Sequence, residues 1–146
     1  MYLAILNGKK EQFLIDNYDN MKKIIYTDKA PAPIGPYSQA VLVGNTLYTS
    51  GQIALDPISM ELVMETIEIE TTQVMNNMKA VLEAADMDFS NVVKSTIFIS
   101  DMNDFARINS IYASYFEEEF APARETVQVA KLPKNVNVEI SMIAIK

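Results

Sequence analysis

The chain has 146 residues, of which 49% are hydrophobic, so its length and composition are those of one globular domain. It contains neither cysteine nor histidine, which excludes disulfides, thiolate nucleophiles, cysteine-ligated metal centres and the Ser-His-Asp triad. Twelve basic and 19 acidic residues give a formal charge of −7, which counts against a general role in binding nucleic acid.

The first 20 residues, MYLAILNGKKEQFLIDNYDN, have mixed polarity without a clear period. No apolar run in the chain approaches the roughly eighteen residues of a membrane span, and MYLAIL is too short for a signal-peptide core. We therefore expect a cytoplasmic protein without a membrane partner, whose single domain covers residues 21–146. Residues 1–20 are either an ordinary N-terminal extension or precede a true start at Met21, and the sequence favours neither.

Strand-like and helix-like segments alternate from residue 21 onward. MKKIIYTDKAP predicts an opening strand, and two β-rich runs around Gly44-Asn45 predict a hairpin of Ala40–Val43 and Thr46–Ser50. From about Ile67, apolar residues recur at three- and four-residue spacing, which predicts one long amphipathic helix. These apolar residues are Val74, Met75, Met78, Val81, Leu82 and Ala85.

The second half of the domain adds a strand, a helix and two further strands. NVVKSTIFIS has apolar residues at both odd and even positions, which predicts a strand covered on both faces. DMNDFARINSIYASYFEEEF opens with capping residues and predicts a second helix. Its apolar stripe consists of Phe105, Ile108, Tyr112, Tyr115 and Phe116. Two strands around Leu132–Asn135 complete an α+β fold in which the helices pack on one sheet.

Two charged residues lie in this last pair of strands. Arg124 follows Pro122 at the head of an alternating strand, and Glu139 lies in a strand that is otherwise mostly apolar. A direct hairpin would place Glu139 opposite Gln128, on the same face as Arg124 but roughly 13 Å from it. Either the strands are not simple partners, or the two residues complete a site with different subunits. A buried ion pair within one subunit is the structural alternative.

Four segments resemble the successive motifs of one known family: APIGPYSQAV, LYTSGQIALDP, VVKSTIFISDMNDFARINSIYASYF and PARETVQVAKLPKNVNVEI. They resemble the RidA family, also called the YjgF family, over the range from about Met21 to Lys146. The resemblance implies the chorismate-mutase-like fold, with two helices on one mixed β-sheet, and a homotrimer with three sites between subunits. It also implies hydrolysis of reactive enamines and imines to 2-keto acids and ammonium, with no cofactor and no metal. Such substrates include 2-aminoacrylate, 2-iminopropanoate and 2-iminobutanoate.

The resemblance also assigns roles to residues. It implies that Arg124, Glu139 and Tyr37 are the catalytic residues. It implies that the substrate-binding residues are Ser50, Gly51, Asn109 and Thr126, the last at a position where some members have cysteine. A guanidinium fork matches a planar carboxylate bidentately, so Arg124 suits a 2-imino acid. A carboxylate can orient water and move protons without histidine, which fits Glu139, while Tyr37 either closes the pocket or is a packed anchor.

Two other functions stay open beside the deaminase. A non-catalytic regulatory trimer would bind 2-keto acids without accelerating imine loss. A ribonuclease or chaperone-like role, reported for some relatives, would need a basic groove or an exposed apolar patch. The acidic charge counts against RNA, and an arginine directed at a carboxylate favours the deaminase. We therefore expect small 2-imino and 2-keto acids as ligands.

Overall fold

The structure is a computed structural model that describes residues 21–146, so the predicted N-terminal extension lies outside the described residues. The six strands of its sheet are β1 (Lys23–Ile25), β2 (Ala40–Val43), β3 (Thr46–Thr49), β4 (Val92–Ile99), β5 (Ala123–Gln128) and β6 (Val138–Ile145). The α-helices are α1 (Ile67–Glu83) and α2 (Phe105–Ala113). The opening strand, the β2–β3 hairpin and the two helices all occur where the sequence predicts them, although the second helix is shorter than predicted.

The sheet has the order β1-β2-β3-β6-β4-β5. β4 and β5 are parallel, and every other neighbouring pair is antiparallel, so the sheet is mixed. Parallel neighbours need a crossover connection, and α2 provides it between β4 and β5. The hairpin turn between β2 and β3 places Gly44 at a φ of 58°, a conformation that glycine adopts without steric cost.

The last two strands are not direct partners, which is one of the alternatives that the sequence left open. β4 lies between β5 and β6, and Phe98 pairs with Val127 on one side and with Glu139 on the other. The connection between β5 and β6 spans residues 129–137, which is longer than the two to five residues of most hairpin loops. A connection of this length can pass over the end of β4, which leaves β4 between β5 and β6.

Alternation along the strands gives the sheet one buried face and one open face. On β4, the side chains of Ser95, Ile97 and Ile99 are buried beneath the helices, whereas Thr96 and Phe98 are only partly covered. The prediction that this strand is covered on both faces is therefore wrong for the single chain. Within the described range, neither helix is long and apolar enough to cross a membrane.

Helix α1 begins at Ile67 and is capped by Thr66, whose hydroxyl accepts a hydrogen bond from the backbone N–H of Ile69 at 3.2 Å. Every apolar residue predicted for its inner stripe is buried, although the last of them, Ala85, lies beyond the end of the helix. Helix α2 ends at Ala113, so Tyr115 and Phe116 lie beyond it rather than on its stripe. The two rings still pack, because each meets the Phe89 ring edge to face, with centroids 5.2 and 5.4 Å apart.

Candidate active site

A pocket of about 410 Å³ opens beside β6 and brings together four of the predicted site residues. Its lining includes Tyr37, Ser50, Gly51 and Glu139. The residues come from three separate parts of the chain: the loop before β2, the segment after β3, and β6 itself. Lys134 also lines this pocket, although the sequence analysis did not select it. Four of the seven predicted site residues thus lie together on this side of the sheet.

Backbone hydrogen bonds hold the segment after β3 against β6. The N–H of Gln52 donates to the carbonyl of Ile140 at 2.8 Å, and the N–H of Ile140 donates back at 3.1 Å. This bridge sets Gly51 directly against the side chain of Glu139. The Ser50 hydroxyl donates to the carbonyl of Ser38 at 2.6 Å, so its proton is engaged and its oxygen, on the pocket wall, keeps the capacity to accept.

Tyr37 lies at the mouth of the pocket, with 51% of its surface exposed. Its hydroxyl accepts a hydrogen bond from the backbone N–H of Ile34 at 3.3 Å. The bond closes the short loop around Gly35, whose carbonyl also accepts from the N–H of Tyr37 at 2.9 Å. The ring is therefore fixed to its own loop and can cover the pocket, which fits a residue that shields bound ligand.

Gln39 anchors this loop, a role that the sequence analysis missed. Its buried amide donates to the carbonyls of Thr27 and Pro31, both at 2.9 Å, and its oxygen accepts from the N–H of Thr27 at 2.7 Å. A polar side chain directly before an apolar strand is the only sequence signal of this role. Because Pro31 lines the pocket, Gln39 holds one of its walls.

Glu70 is a second residue that the sequence analysis missed. Its buried carboxylate accepts hydrogen bonds from the backbone N–H of Asn137 at 2.6 Å and of Val138 at 3.3 Å. It also accepts from the Asn137 side-chain amide at 2.9 Å. In the sequence, Glu70 is indistinguishable from the acidic residues that favour a helix start. In the fold, it fixes the first residues of β6, immediately before Glu139.

Arg124 lies apart from this pocket, beside α2. Its Nη1 donates to Oδ1 of Asn109 at 2.5 Å, so these two predicted site residues are in contact. The guanidinium carbon lies 5.1 Å from the ring centroid of Tyr112 and 5.8 Å from that of Phe105. The sequence analysis placed both rings on a core stripe, but they also flank the cation. Arg124 and Tyr112 line a separate cavity of about 490 Å³.

Arg124 forms no ion pair with any carboxylate of residues 21–146. The structural alternative, a buried ion pair with Glu139 in one subunit, is therefore absent from the described part of the chain. The guanidinium is exposed and is held by a neutral amide and two rings. It is available to an external carboxylate.

Thr126 lies two residues beyond Arg124 on the same face of β5 and pairs with Ile97. Its hydroxyl oxygen is buried and has no hydrogen-bond partner within the described range. The residue lines neither the pocket at Glu139 nor the cavity at Arg124. A role for Thr126 in substrate binding stays a prediction.

Arg124 and Glu139 point to opposite faces of the sheet. Arg124 pairs with Ser95, a buried residue on the helix-covered face, whereas Glu139 pairs with Phe98 on the open face. The direct-hairpin geometry, in which the two residues would share a face, therefore does not occur, because β4 lies between β5 and β6. Two strand spacings and three residues along the strand separate their Cα atoms by about 14 Å. The two side chains cannot converge within one chain.

Burial raises the pKa of the Glu139 carboxyl, because the charged form is partly removed from water. Burial also raises the pKa of the Tyr112 hydroxyl, which donates to Ser95 Oγ at 2.8 Å and stays protonated at neutral pH. The cavity at Arg124 and the pocket at Glu139 therefore differ in chemistry. One presents a permanent cation, and the other presents a carboxyl group with increased proton affinity.

Three comparisons relate the chain to known proteins. It is 51% identical over 126 residues to a cattle (Bos taurus) protein named 2-iminobutanoate/2-iminopropanoate deaminase, covering 86% of this chain and 91% of the relative. The solved structure of RidA from Psychrobacter, an Antarctic bacterium, matches with a TM-score of 0.81 and 47% identity, covering 85% and 99% of the two chains. The structure of E. coli TdcF with bound serine matches with a TM-score of 0.80 and 43% identity, covering 85% and 98%.

The sequence profile of one family matches residues 27–146, and that family is described as endoribonuclease L-PSP. The match contains every predicted site residue and the whole sheet except its first strand. The similarity to RidA extends over the same part of the chain at close to half identity. The chain therefore belongs to the endoribonuclease L-PSP family, the RidA or YjgF family that its motifs predict.

Proposed function

We propose that the protein hydrolyses 2-imino acids and their enamine tautomers to 2-keto acids and ammonium. The substrates are 2-iminopropanoate, formed from 2-aminoacrylate, and 2-iminobutanoate. The observation that supports this most directly is Arg124, an exposed guanidinium held by Asn109 and without an ion pair in the described range. A small planar carboxylate is the ligand that such a fork matches. The name of the cattle relative and the serine bound to TdcF support the same ligand class.

The active site is proposed to form between subunits of a homotrimer. Within one chain, Arg124 and Glu139 face away from each other, so a second subunit has to supply one of them. The open face of the sheet supports assembly because it carries exposed apolar side chains that a partner would bury. These side chains are Ile24, Val43, Tyr48, Val127 and Ile145. An interface that joins two different patches closes a ring when it is repeated around a rotation axis.

In this site, Arg124 binds the substrate carboxylate and fixes the orientation of the imine. Asn109 and the ring of Tyr112 hold the guanidinium before substrate arrives, so little conformational freedom is lost on binding. The C=N carbon then faces Glu139 of the neighbouring subunit. Tyr37 covers the pocket, and the Ser50 hydroxyl accepts hydrogen bonds from the imine nitrogen or the attacking water.

Glu139 moves the protons. The substrate reacts as the protonated imine, C=NH₂⁺. As a water oxygen bonds to its carbon, the C=N π electrons move to nitrogen, and the Glu139 carboxylate accepts a proton from that water to give a neutral carbinolamine. The resulting carbinolamine loses ammonia when the C–N bond breaks, with Glu139 returning its proton to the leaving nitrogen. The hydroxyl proton passes through water to the released ammonia, which leaves a 2-keto acid and ammonium. The raised pKa of Glu139 makes it a stronger base than an ordinary carboxylate, which suits both transfers.

The test is the decay of 2-aminoacrylate, generated in situ by a dehydratase, with and without this protein. We expect the protein to accelerate ammonium release, and the Arg124→Ala variant to lose the acceleration. Tight binding of a 2-keto acid without acceleration would instead identify a non-catalytic binding trimer. Equal decay rates with and without the parent protein, and no binding, would contradict the proposal.

A further inference from the structure

Gly51 occupies a position where a side chain has no room. A Cβ atom built on its backbone would overlap Oε1 of Glu139 and would lie 2.7 Å from Cδ and 2.9 Å from Cγ of the same side chain. Non-bonded heavy atoms do not come this close to a Cβ atom, so the neighbouring atoms would have to move. The Glu139 carboxyl thus fills the space that the side chain of residue 51 would occupy in any other amino acid.

The backbone of Gly51 does not itself require glycine. In the described range, the glycines with positive φ are Gly35 and Gly44, and Gly51 is not among them. Its conformation is open to ordinary residues, so the common reason for a glycine is absent here. What remains is the contact with Glu139, the residue to which the three nearest heavy atoms around the site of a Cβ all belong.

The two residues cannot move apart as backbone units. The reciprocal bonds between Gln52 and Ile140, at 2.8 and 3.1 Å, join the residues that directly follow Gly51 and Glu139. The buried carboxylate of Glu70 holds the residues just before Glu139. A side chain at position 51 would therefore be accommodated by rotation of the Glu139 side chain rather than by separation of the strands.

We propose that Gly51 is a positioning residue that acts through Glu139: its lack of a side chain creates the seat in which the carboxyl group lies against the backbone. The inference rests on the proposed function, since it gives Gly51 a second role beside any contact of its N–H with substrate. The seat also explains the proton affinity of the group, because a carboxyl lying against backbone loses part of its hydration, which raises its pKa. A carboxyl displaced from the seat would enter water.

The test compares Gly51→Ala, Glu139→Gln and the double variant in the full chain. Gly51→Ala is expected to fold with the melting temperature of the parent, because the overlapping atoms are the far end of a flexible side chain. Its kcat should fall on the order of a hundredfold, as in Glu139→Gln. KM should change little, because alanine keeps the backbone N–H. In the Glu139→Gln background, adding Gly51→Ala should cause no further loss.

A readout independent of activity is the titration of the Glu139 carboxyl carbon by NMR, assigned by its disappearance in Glu139→Gln. The pKa should fall in Gly51→Ala toward that of an ordinary glutamate. An unchanged pKa of Glu139 in Gly51→Ala would contradict the positioning role of Gly51. A parental kcat in Gly51→Ala, or a further large loss of kcat in the double variant, would contradict it as well. If the parent itself does not hydrolyse 2-aminoacrylate, the proposed function fails, and the titration still decides the role of Gly51.

A folding defect in Gly51→Ala would also be informative. Truncation of the carboxyl in Gly51→Ala/Glu139→Ala empties the disputed space, so this double variant should fold as well as Glu139→Ala alone. If it remains unfolded, the obstacle at position 51 is not Glu139, and the proposal is wrong.

Discussion

At the scale of single residues, Arg124 is held by neutral neighbours rather than by a counter-ion. Asn109 accepts from one end of the guanidinium, and the rings of Tyr112 and Phe105 lie beside it. A permanent charge in such a setting keeps its electrostatic attraction for a ligand, because no protein carboxylate in residues 21–146 neutralises it. The planar group also fits its flanking rings, which an ammonium does not.

Substitution of Arg124 tests whether the fork or only the charge matters. Arg124→Lys keeps the charge but loses bidentate geometry, so kcat/KM should fall nearly as far as in Arg124→Ala, by roughly two orders of magnitude. Steady-state kinetics with dehydratase-generated substrate gives the comparison. Arg107→Lys is the matched control, because Arg107 pairs with Glu68 on the surface, and its kcat/KM should stay near that of the parent. Parental kinetics in Arg124→Lys would show that the fork is not used.

Glu139 should combine a kinetic role with a cost in stability. Its raised folded pKa means that it contributes stability below its unfolded pKa, and this contribution is lost as pH rises through the folded pKa. The ionised group therefore opposes folding at neutral pH. Glu139→Gln should lower turnover on the order of a hundredfold, keep 2-keto-acid binding, and melt at pH 7 no lower than the parent. Kinetics, calorimetric binding and melting curves measure the three.

The pH dependence of the parent gives a further check on the same residue. Since Glu139 has to be ionised to accept a proton, activity should fall on acidification with a midpoint above the ordinary glutamate value of 4.5. A midpoint at or below that value would contradict the assignment of Glu139 as the base.

At the scale of secondary-structure elements, buried polar side chains of one element fix the backbone of another. Glu70 on α1 binds the N–H groups that open β6, and Asn77 on α1 donates to the carbonyls of Ile53 at 3.0 Å and Leu55 at 2.8 Å. Both acceptors lie in the wall of the pocket that contains Glu139. The helix thus does more than cover the core, because it sets the geometry of two pocket segments.

Removal of the Glu70 carboxylate should be costly. Glu70→Ala leaves buried N–H groups of Asn137 and Val138 unpaired and opens a cavity, so we expect a loss of about 2–4 kcal/mol of unfolding free energy. Glu70→Gln keeps one acceptor and should lose less. Urea unfolding measures both, with Glu83→Ala as a control on the same helix, because the side chain of Glu83 is 52% exposed. Equal stability of Glu70→Ala and Glu83→Ala would contradict this role.

The sequence predicted elements better than their pairing. The β2–β3 hairpin could be predicted because its turn at Gly44-Asn45 is local, and α1 because its apolar period is long. The position of β4 between β5 and β6 could not, because pairing between distant segments depends on tertiary packing. For the same reason, the sequence could not decide whether β5 and β6 pair directly, the arrangement that would put Arg124 and Glu139 on one face. Glu70 was missed because a buried carboxylate and a helix-start carboxylate look alike in sequence.

At the scale of the whole molecule, the predicted site residues all lie in the domain of residues 21–146, and none lies in the N-terminal extension of residues 1–20. All seven predicted site residues lie between residues 37 and 139, within the range that matches the family. Deletion of residues 1–20 should therefore leave folding and activity intact. Melting temperature and kcat/KM of the truncated protein provide the measurement. A large fall in melting temperature would show instead that the N-terminal extension packs against the domain.

The site proposed between subunits makes assembly necessary for activity. The open face of the sheet and the opposite directions of Arg124 and Glu139 both favour assembly of several chains, and the resemblance to the RidA family implies three. Sedimentation equilibrium at micromolar concentration should give the mass of a trimer for the parent, for Arg124→Ala and for Glu139→Gln. A monomer under these conditions would contradict the assembly.

The most direct measurement of the shared site is a subunit-mixing experiment. Arg124→Ala and Glu139→Gln are each expected to be inactive, but a chain with intact Glu139 and a neighbour with intact Arg124 together form one complete site. Unfolding and refolding an equal mixture should restore about a quarter of the parental activity, because random assembly gives that share of sites both intact residues. Refolding each variant alone should restore none. A mixture as inactive as its components would contradict the central claim that the two residues act together in a site shared between subunits.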